Sequence, residues 1–356
     1  MEFLVFPRTI SREDPGMKKA MGRYLDITEN RKYAKYLIAR TIPVKIGNSE
    51  ERLWKEHERG MKEFRIKLKE FDREKGKLKF PEKSLVDLKF EIAKRMLSKC
   101  GFCERECGVD RASGKKGFCG LTDKSSLSSE FIHMGEEGSI IPSHTFFFMG
   151  CNFYCVYCQN WTISRQKEKG SSVDGEILAE LAGRRSNASR NINLVGGDPT
   201  PNVHTIIGML KHLDINKPIV WNSNMYMSEK TMGLLDGMID VYLADFKYGN
   251  DECAKKLSKA PDYWKIMTRN YSLAKKQAEI LIRHLVLPNH LECCTKPIME
   301  WTGKNLDNKI RMNIMDQYRP EFEVFEFKEM CRRVEREEME RAFELAKENG
   351  LTNLEP

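Results

Sequence analysis

From residue 143 onward, short and nearly continuous apolar runs alternate with amphipathic stretches. Such runs, separated by helical stretches, are typical of strands in a parallel sheet that is covered on both faces. Six such units indicate an α/β fold with a partial (β/α)6 barrel, similar to a TIM barrel but not closed into eight units. The predicted strands are Thr145–Met149, Ile192–Val195, Ile219–Trp221, Val241–Phe246, Ile280–Leu287 and Ile310–Ile314, with helices such as Glu176–Ser186, Val203–Leu213 and Tyr263–Glu279 between them.

The two ends of the chain have a helical pattern. Apolar residues recur at loosely helical spacing from Glu50 to Lys79, and Pro81 is expected to end that helix. A second helix is predicted over Ser84–Leu97, and a last one over Glu335–Asn349 with Gly350 as its C-cap. We therefore divide the chain into a helical basic region (1–99), a loop-like Cys-rich metal-binding region (100–142), the partial barrel (143–316) and a C-terminal helical segment (317–356).

Charge is unevenly distributed along the chain. The net charge is +8, and residues 1–99 alone carry 26 Lys and Arg against 16 Asp and Glu. This excess of positive charge fits a separate basic module that contacts RNA or an acidic protein surface. It also fits an ordinary solvated helical face. No apolar run is long enough to span a membrane, and the start, MEFLVFPRTISREDPG, has no basic segment before its apolar residues. We therefore expect a cytoplasmic protein without a secretory signal.

Three cysteines follow the first predicted barrel strand. Cys151, Cys155 and Cys158 have the spacing C-x3-C-x2-C directly after Met149. Three thiolates on one loop suit three irons of a four-iron cluster, and the fourth iron then stays open to a ligand. A zinc site or three structural cysteines are the alternatives, although structural zinc normally takes four protein ligands.

Upstream of this loop, four more cysteines lie within a stretch of twenty residues. Cys100, Cys103, Cys107 and Cys119 are enough for a complete tetrahedral metal site. A structural zinc and an auxiliary iron–sulfur cluster are both consistent with a full thiolate set. The sequence therefore predicts a second metal site without choosing its metal.

The remaining cysteines and the histidines give weaker signals. Cys253 and Cys331 lie in predicted helices and are expected to be simple thiols, and no histidine shows metal-ligand spacing. The pair Cys293-Cys294 and His290 follow the fifth predicted strand, at the rim of the barrel. A redox-active pair and a hydrogen bond from His290 to a substrate are the functional alternatives for them.

Polar residues and glycines mark the ends of the later strands. Because ligands of such folds bind beyond the carboxyl ends of the strands, these residues are candidates for cofactor binding. For several of them a structural role is the alternative: a βα turn for the glycines, helix capping for Asn222 or Ser223, and ion pairs with Asp or Glu for the charged residues. The candidates are Gly196, Gly197, Asp198, Thr200, Asn222, Ser223, Asp245, Lys247 and Arg283.

Several motifs resemble one known family. The loop GCNFYCVYCQN resembles the cluster-binding motif of the radical S-adenosylmethionine (radical SAM) superfamily. The landmarks CGFCERECGVDRASGKKGFCG, INLVGGDPTP, VYLADFKYG, RHLVLPNHLE and MDQYRP are similar to those of proteins related to the pyruvate formate-lyase activating enzyme. The segment Gly196–Thr200 resembles the GGEP motif that holds the methionine amino group, with Asp198 in place of the usual Glu.

The resemblance implies a chemistry. Cys151, Cys155 and Cys158 would hold a [4Fe–4S] cluster, and S-adenosylmethionine would bind its open iron. One electron from a flavodoxin- or ferredoxin-type donor would cleave the sulfonium and give a 5′-deoxyadenosyl radical, which abstracts hydrogen from a substrate. The resemblance favours activation or modification of a protein, as by a glycyl-radical activase. Modification of RNA or of a small molecule is the first alternative, and a non-catalytic iron–sulfur or zinc protein that binds nucleic acid is the second.

Overall fold

A single eight-stranded sheet forms the centre of the molecule. The structure is a computed structural model that describes residues 14–306 and 310–356. The prediction that there is no secretory signal rests on the start of the chain, most of which lies outside the described residues. The strands are β1 (Ser125–His133), β2 (Ser143–Phe148), β3 (Ser171–Val173), β4 (Asn191–Gly196), β5 (Ile219–Ser223), β6 (Val241–Asp245), β7 (Glu279–Leu285) and β8 (Arg311–Met315). Their order in the sheet is β3-β1-β2-β4-β5-β6-β7-β8.

Six of these strands are parallel and confirm the predicted barrel. β2 and β4 to β8 pair in sequence order, each parallel to the next. Each corresponds to one predicted strand, with ends that differ by a few residues. The sheet is not closed, so the α/β fold with a partial (β/α)6 barrel is confirmed.

Two antiparallel strands extend the sheet beyond β2 and were not predicted. β1 pairs with β2, and β3 pairs with the first residues of β1. The prediction that residues 100–142 are loop-like is therefore wrong for β1. Its outer residues, such as Ser129 and Phe131, are exposed, so β1 lacks the continuous apolar run of a buried strand.

The helices follow the predicted pattern with shorter ends. Ser84 caps the second predicted helix, and its hydroxyl and the Asp87 carboxylate form a reciprocal capping box. Gly350 has a φ of +75°, as expected directly after a helix. The helices are α1 (Pro15–Thr28), α2 (Lys35–Ala39), α3 (Glu50–Arg73), α4 (Leu85–Met96), α5 (Trp161–Ser164), α6 (Gly175–Arg184), α7 (Val203–His212), α8 (Glu229–Leu235), α9 (Asp251–Ser258), α10 (Tyr263–Gln277), α11 (Lys296–Asn305) and α12 (Arg336–Glu348).

α1 packs against the amino ends of the barrel strands. Its buried side chains share a core with residues of β5, β6 and β7, such as Val220, Val241 and Leu281. The helix is kinked at Met21, and two backbone N–H groups beyond the kink donate to the Glu279 carboxylate at 2.7 and 2.8 Å. The basic region therefore shares its core with the barrel, although the division of the chain into four regions stays a prediction. None of the described helices has the length and apolar character that crossing a bilayer requires.

Candidate functional site

A cavity of about 420 Å³ opens at the carboxyl ends of the parallel strands. A second concavity of about 440 Å³ lies beside α1, but charged side chains of the helix surface line it and it contains no predicted site residue. The first cavity collects predicted residues from five strand ends, those of β2, β4, β5, β6 and β7. Its walls include Cys151, Cys155, Cys158, Gly196, Gly197, Asp198, Asn222, Ser223, Asp245, Lys247 and Arg283.

The three cysteines after β2 each have a hydrogen-bond donor at the sulfur. The Phe153 N–H donates to Cys151 Sγ at 3.3 Å, and the Ser258 hydroxyl donates to Cys155 Sγ at 3.0 Å. Cys158 Sγ lies 3.4 Å from the Ser164 hydroxyl. Burial raises the pKa of Cys151 and Cys155, so an anionic sulfur there needs a cation beside it. Three thiols on one cavity wall, with donors to their sulfurs, fit a bound iron–sulfur cluster.

The two glycines at the end of β4 leave room for the backbone that leads into the cysteine loop. A Cβ at Gly196 would overlap the Phe148 backbone, and one at Gly197 would overlap the Gly150 carbonyl. The Gly197 N–H donates to the Phe148 carbonyl at 2.9 Å, and the Asp198 N–H donates to the Gly150 carbonyl at 3.0 Å. The glycines therefore hold this turn against the segment that leads to Cys151, in addition to lining the cavity.

Asp198 ties the turn after β4 to the end of β5. Its carboxylate accepts hydrogen bonds from the Thr200 N–H at 2.9 Å, the Asn224 N–H at 2.9 Å and the Ser223 hydroxyl at 3.1 Å. Burial raises the pKa of Asp198, although these hydrogen bonds oppose the rise. Thr200 is fully buried and does not line the cavity. The structure thus gives the Asp198 side chain and Thr200 structural contacts.

Asn224 is a cavity residue that the site prediction omitted. Its side-chain amide donates to Asn152 Oδ1 at 2.6 Å and lies 3.9 Å from Cys151 Sγ. The position directly after Asn222 and Ser223 at the end of β5 was the available signal.

Arg283 is held by carboxylates of the protein. Its guanidinium donates to Asp245 at 2.8 Å and to Glu136 at 3.4 Å, and Glu137 lies 3.9 Å away. Asn222 accepts a further hydrogen bond from Arg283 at 2.6 Å. Arg283 therefore forms the ion pairs with Asp and Glu that were the alternative to cofactor binding. Lys247 likewise forms an ion pair with Asp245 at 2.8 Å.

Glu136 and Glu137 were missed because they lie in the loop that was assigned to the metal region. This loop follows β1 and brings both carboxylates to the barrel interior, where Asn193 donates to Glu136 at 3.0 Å and Asn313 donates to Glu137 at 3.1 Å. Burial raises the pKa of Glu137 to about 7, against the charge of Arg283. Burial also acts to raise the pKa of Asp245, but Arg283 and Lys247 outweigh it and the pKa lies below its usual range.

The four upstream cysteines lie close enough for their thiols to interact electrostatically, next to the loop that contains Cys151. A Cβ at Gly117 would lie 3.4 Å from Cys107 Sγ and 3.6 Å from Cys119 Sγ. Burial raises the pKa of Cys103 and Cys119, and the neighbouring thiols raise both pKa values further. Between Cys103 and Cys107, Arg105 donates to the Asn152 carbonyl at 2.8 Å, which joins this region to the loop of Cys151.

A third group of thiols was not expected as a group. Cys253, His290 and Cys293 place one potential ligand atom each within 4.8 Å of one another. Hydrogen bonds with Cys294 and His290 lower the pKa of Cys253 to about 4. Cys253 is a free, half-buried thiol as expected, but residues that are distant in sequence meet beside it. Cys331 is exposed and lies outside this group.

Comparison with known proteins assigns the central part of the chain to a superfamily. Residues 145–302 match the radical SAM superfamily. The "Uncharacterized protein MJ0674" of Methanocaldococcus jannaschii is 44% identical over 339 residues, which cover 93% of this chain and 98% of that protein.

Solved structures of Streptococcus suis SuiB resemble part of the chain. SuiB bound to its precursor peptide SuiA is 14% identical with a TM-score of 0.40, over 56% of this chain and 43% of SuiB. SuiB bound to S-adenosylmethionine is 13% identical with a TM-score of 0.41, over 58% of this chain and 47% of SuiB. The chain thus spans less than half the length of SuiB.

The superfamily match covers the barrel from β2 to α11, and it includes the three-cysteine loop and the turn after β4. Membership implies S-adenosylmethionine and a [4Fe–4S] cluster as cofactors, and the donor set of the cavity fits them. The chain belongs to the radical SAM superfamily of enzymes.

Proposed function

We propose that this radical SAM enzyme binds its cluster through Cys151, Cys155 and Cys158 and modifies a polypeptide, in the manner of a glycyl-radical activase. The observation that carries the proposal is the cavity in which the three thiols meet the polar ends of β4 to β7. When bound, the cluster and S-adenosylmethionine supply the reductive cleavage that yields a 5′-deoxyadenosyl radical. A flavodoxin- or ferredoxin-type protein is the proposed electron donor.

Charged and polar groups of the chain position the cofactor in this proposal. Lys247 and Arg283 provide N–H donors for a carboxylate, while Asp245 keeps both cations in place at 2.8 Å. The Gly196-Gly197 turn presents backbone to the cavity beside Cys151. Asn222 and Ser223 are the proposed partners for ribose hydroxyls.

A free strand edge beside the cavity favours a polypeptide substrate. β3 pairs only with Ser125, Ser126 and Leu127, so within the described part of the chain the outer edge of β1 from Ser129 to His133 has no strand neighbour. His133 lines the cavity, and the exposed Phe131 stacks on Phe147, which also lines it. An extended peptide can add to such an edge through main-chain hydrogen bonds.

The alternative of RNA as substrate lacks comparable support near the cavity. The basic helix α1 packs at the amino ends of the strands, whereas the cavity opens at their carboxyl ends. Modification of RNA or of a small molecule therefore enters the test as an alternative outcome.

The test uses the reconstituted, dithionite-reduced enzyme under anaerobic conditions. We expect 5′-deoxyadenosine from S-adenosylmethionine, and a glycyl-radical electron paramagnetic resonance signal when the correct protein substrate is added. Absence of 5′-deoxyadenosine from a fully loaded cluster would reject the activity. Formation of 5′-deoxyadenosine that RNA stimulates in a salt-dependent manner, and that proteins do not, would reject the polypeptide substrate.

A further inference from the structure

Three side chains from two separate segments meet beside the loops that follow β6 and β7. Cys253 lies in the first turn of α9, while His290 and Cys293 lie in the turn between β7 and α11. The Sγ atoms of Cys253 and Cys293 are 3.8 Å apart. A tetrahedral zinc ion with Zn–S bonds of about 2.3 Å separates two thiolate sulfurs by about 3.8 Å. The observed separation therefore matches two zinc ligands.

The His290 ring is oriented as a metal-binding imidazole. Its Nδ1 lies 2.7 Å from the Pro288 carbonyl, which can only accept a hydrogen bond. With a metal bound, the proton therefore sits on Nδ1, and Nε2, which faces Cys253, offers its lone pair to the metal. A backbone carbonyl that fixes the imidazole in this way is the common outer partner of a metal-ligating histidine. His290 is 7% exposed, so the ring is also held by burial.

Outer contacts support the sulfur atoms. The Asn250 side-chain amide donates to Cys253 Sγ at 3.4 Å and to the Cys293 carbonyl at 2.6 Å. Gly249 allows the two segments to approach, because a Cβ there would lie 2.7 Å from the carbonyl oxygens of Cys293 and Cys294. Such N–H donors stabilise bound thiolates. The group is thus a built site with its own supporting contacts.

We propose that Cys253, His290 and Cys293 bind a zinc ion. The Cys294 thiol, 3.9 Å from Cys293 Sγ, is the nearest thiol for the fourth position. On binding, each thiol that becomes a ligand releases its proton to solvent, and no electron is transferred. This site is separate from the cavity cysteines and from Cys100–Cys119, and it does not depend on the proposed substrate.

The zinc ion would join the segments that follow two cavity strands. The loop between β6 and α9 contains the cavity residue Lys247, and the turn with His290 follows Arg283 and Leu285 of β7, so both segments begin at the cavity wall. A bond between them through the metal would fix the rim of the cavity. We therefore assign the site a structural role, with zinc bound independently of S-adenosylmethionine.

The test is metal analysis of the full-length protein purified under anaerobic conditions. We compare wild type with Cys253→Ser, Cys293→Ser and His290→Gln, and use Cys331→Ser as the matched control because that cysteine is exposed and outside the group. We expect each of the three variants to contain one zinc fewer per chain, with iron unchanged, and the control to equal wild type. Equal zinc in all proteins would overturn the proposal.

A second measurement detects thiolate ligation directly. Chelator-treated wild type, Cys253→Ser and the Cys331→Ser control, each checked for native circular dichroism, are titrated with Co²⁺, as a spectroscopic substitute for zinc, in competition with Zn²⁺. We expect thiolate-to-Co²⁺ absorption bands that Zn²⁺ abolishes. At saturation, the intensity of these bands in Cys253→Ser should be lower by the contribution of one bound Co²⁺. A Cys253–Cys293 disulfide in the freshly isolated wild type, found by mass spectrometry without reductant, would assign the pair to redox chemistry and overturn zinc binding.

Discussion

Replacement of Arg283 by Gln is expected to destabilise the barrel in a pH-dependent manner. The Arg283 side chain is 17% exposed and is the cation shared by Asp245, Glu136 and Glu137. Removing one partner of a buried ion pair costs roughly 3–5 kcal/mol because the other charge stays buried. Lys247 remains 2.8 Å from Asp245 in the variant, so we expect the lower end of this range, about 3 kcal/mol.

The direction of the pH dependence follows from Glu137. The pKa of this carboxyl is raised to about 7 by burial, whereas an unfolded Glu titrates near 4.3. Between these values the folded state holds a proton that the unfolded state has released, so this group's contribution to stability falls as the pH rises through that window. Without Arg283 the folded pKa rises further. The loss of stability in the variant should therefore be larger at pH 8.5 than at pH 6.

Urea unfolding followed by tryptophan fluorescence measures this loss at both pH values. Arg336→Gln is the control, since its side chain is 85% exposed and its ion pair with Glu340 is expected to contribute less than about 1 kcal/mol. An Arg283→Gln midpoint equal to that of wild type at both pH values would refute the assignment of a buried charge network. A loss that is larger at pH 6 would refute the role given to Glu137.

Three further variants test the cysteine loop, the glycine turn and the second metal site. Cys155→Ala should abolish 5′-deoxyadenosine formation and lower the iron content measured by atomic absorption, because one iron loses its thiolate. Gly197→Ala should also lose iron and should melt several degrees below wild type, because its Cβ would overlap the Gly150 carbonyl. The control Gly183→Ala, whose Cβ meets open space in α6, should melt at or slightly above the wild-type temperature. Cys103→Ala should lose the metal of the second site and keep the cavity iron, as metal analysis of the reconstituted protein would show.

The parallel part of the fold was predictable because its strands are buried on both faces. Leu194, Trp221 and Leu243 are each fully buried, and such strands have continuous apolar sequences. β1 has an exposed face and polar residues such as Ser129, and β3 has only three residues. Neither strand carries a hydrophobic pattern strong enough to separate it from a loop.

The site was predictable only where its residues share a strand end. Residues at the carboxyl ends of parallel strands meet for a topological reason, which places Asp245 and Arg283 together without any knowledge of side chains. Glu136, in contrast, reaches the cavity from a loop, and Cys253 meets His290 because α9 packs beside the turn that follows β7. No spacing in the sequence records such contacts.

Gly197 lies in the site as expected, but the structure gives a different physical reason for a glycine at this position. The sequence makes Gly197 a candidate for cofactor binding, and in that role alone a side chain at this position would weaken cofactor binding and spare the cluster. In the structure the space is taken by the Gly150 carbonyl, one residue before Cys151. A side chain at position 197 would therefore displace the cysteine loop itself, and iron content is the quantity that separates the two explanations.

The polar wall of the cavity is held together by contacts among the protein's own residues. Asp245 orients Lys247 and Arg283, Asn222 accepts from Arg283, and Asp198 fixes Ser223 and the backbone of Asn224. A ligand carboxylate that binds here meets cations whose positions are already set by buried partners, so little conformational entropy is lost on binding. The same pairing means that Asp245 acts on a ligand through the two cations. Asp245→Asn should therefore weaken S-adenosylmethionine binding, measured by equilibrium dialysis, while the iron content stays at the wild-type level; an unchanged affinity would show that the cations do not contact the cofactor.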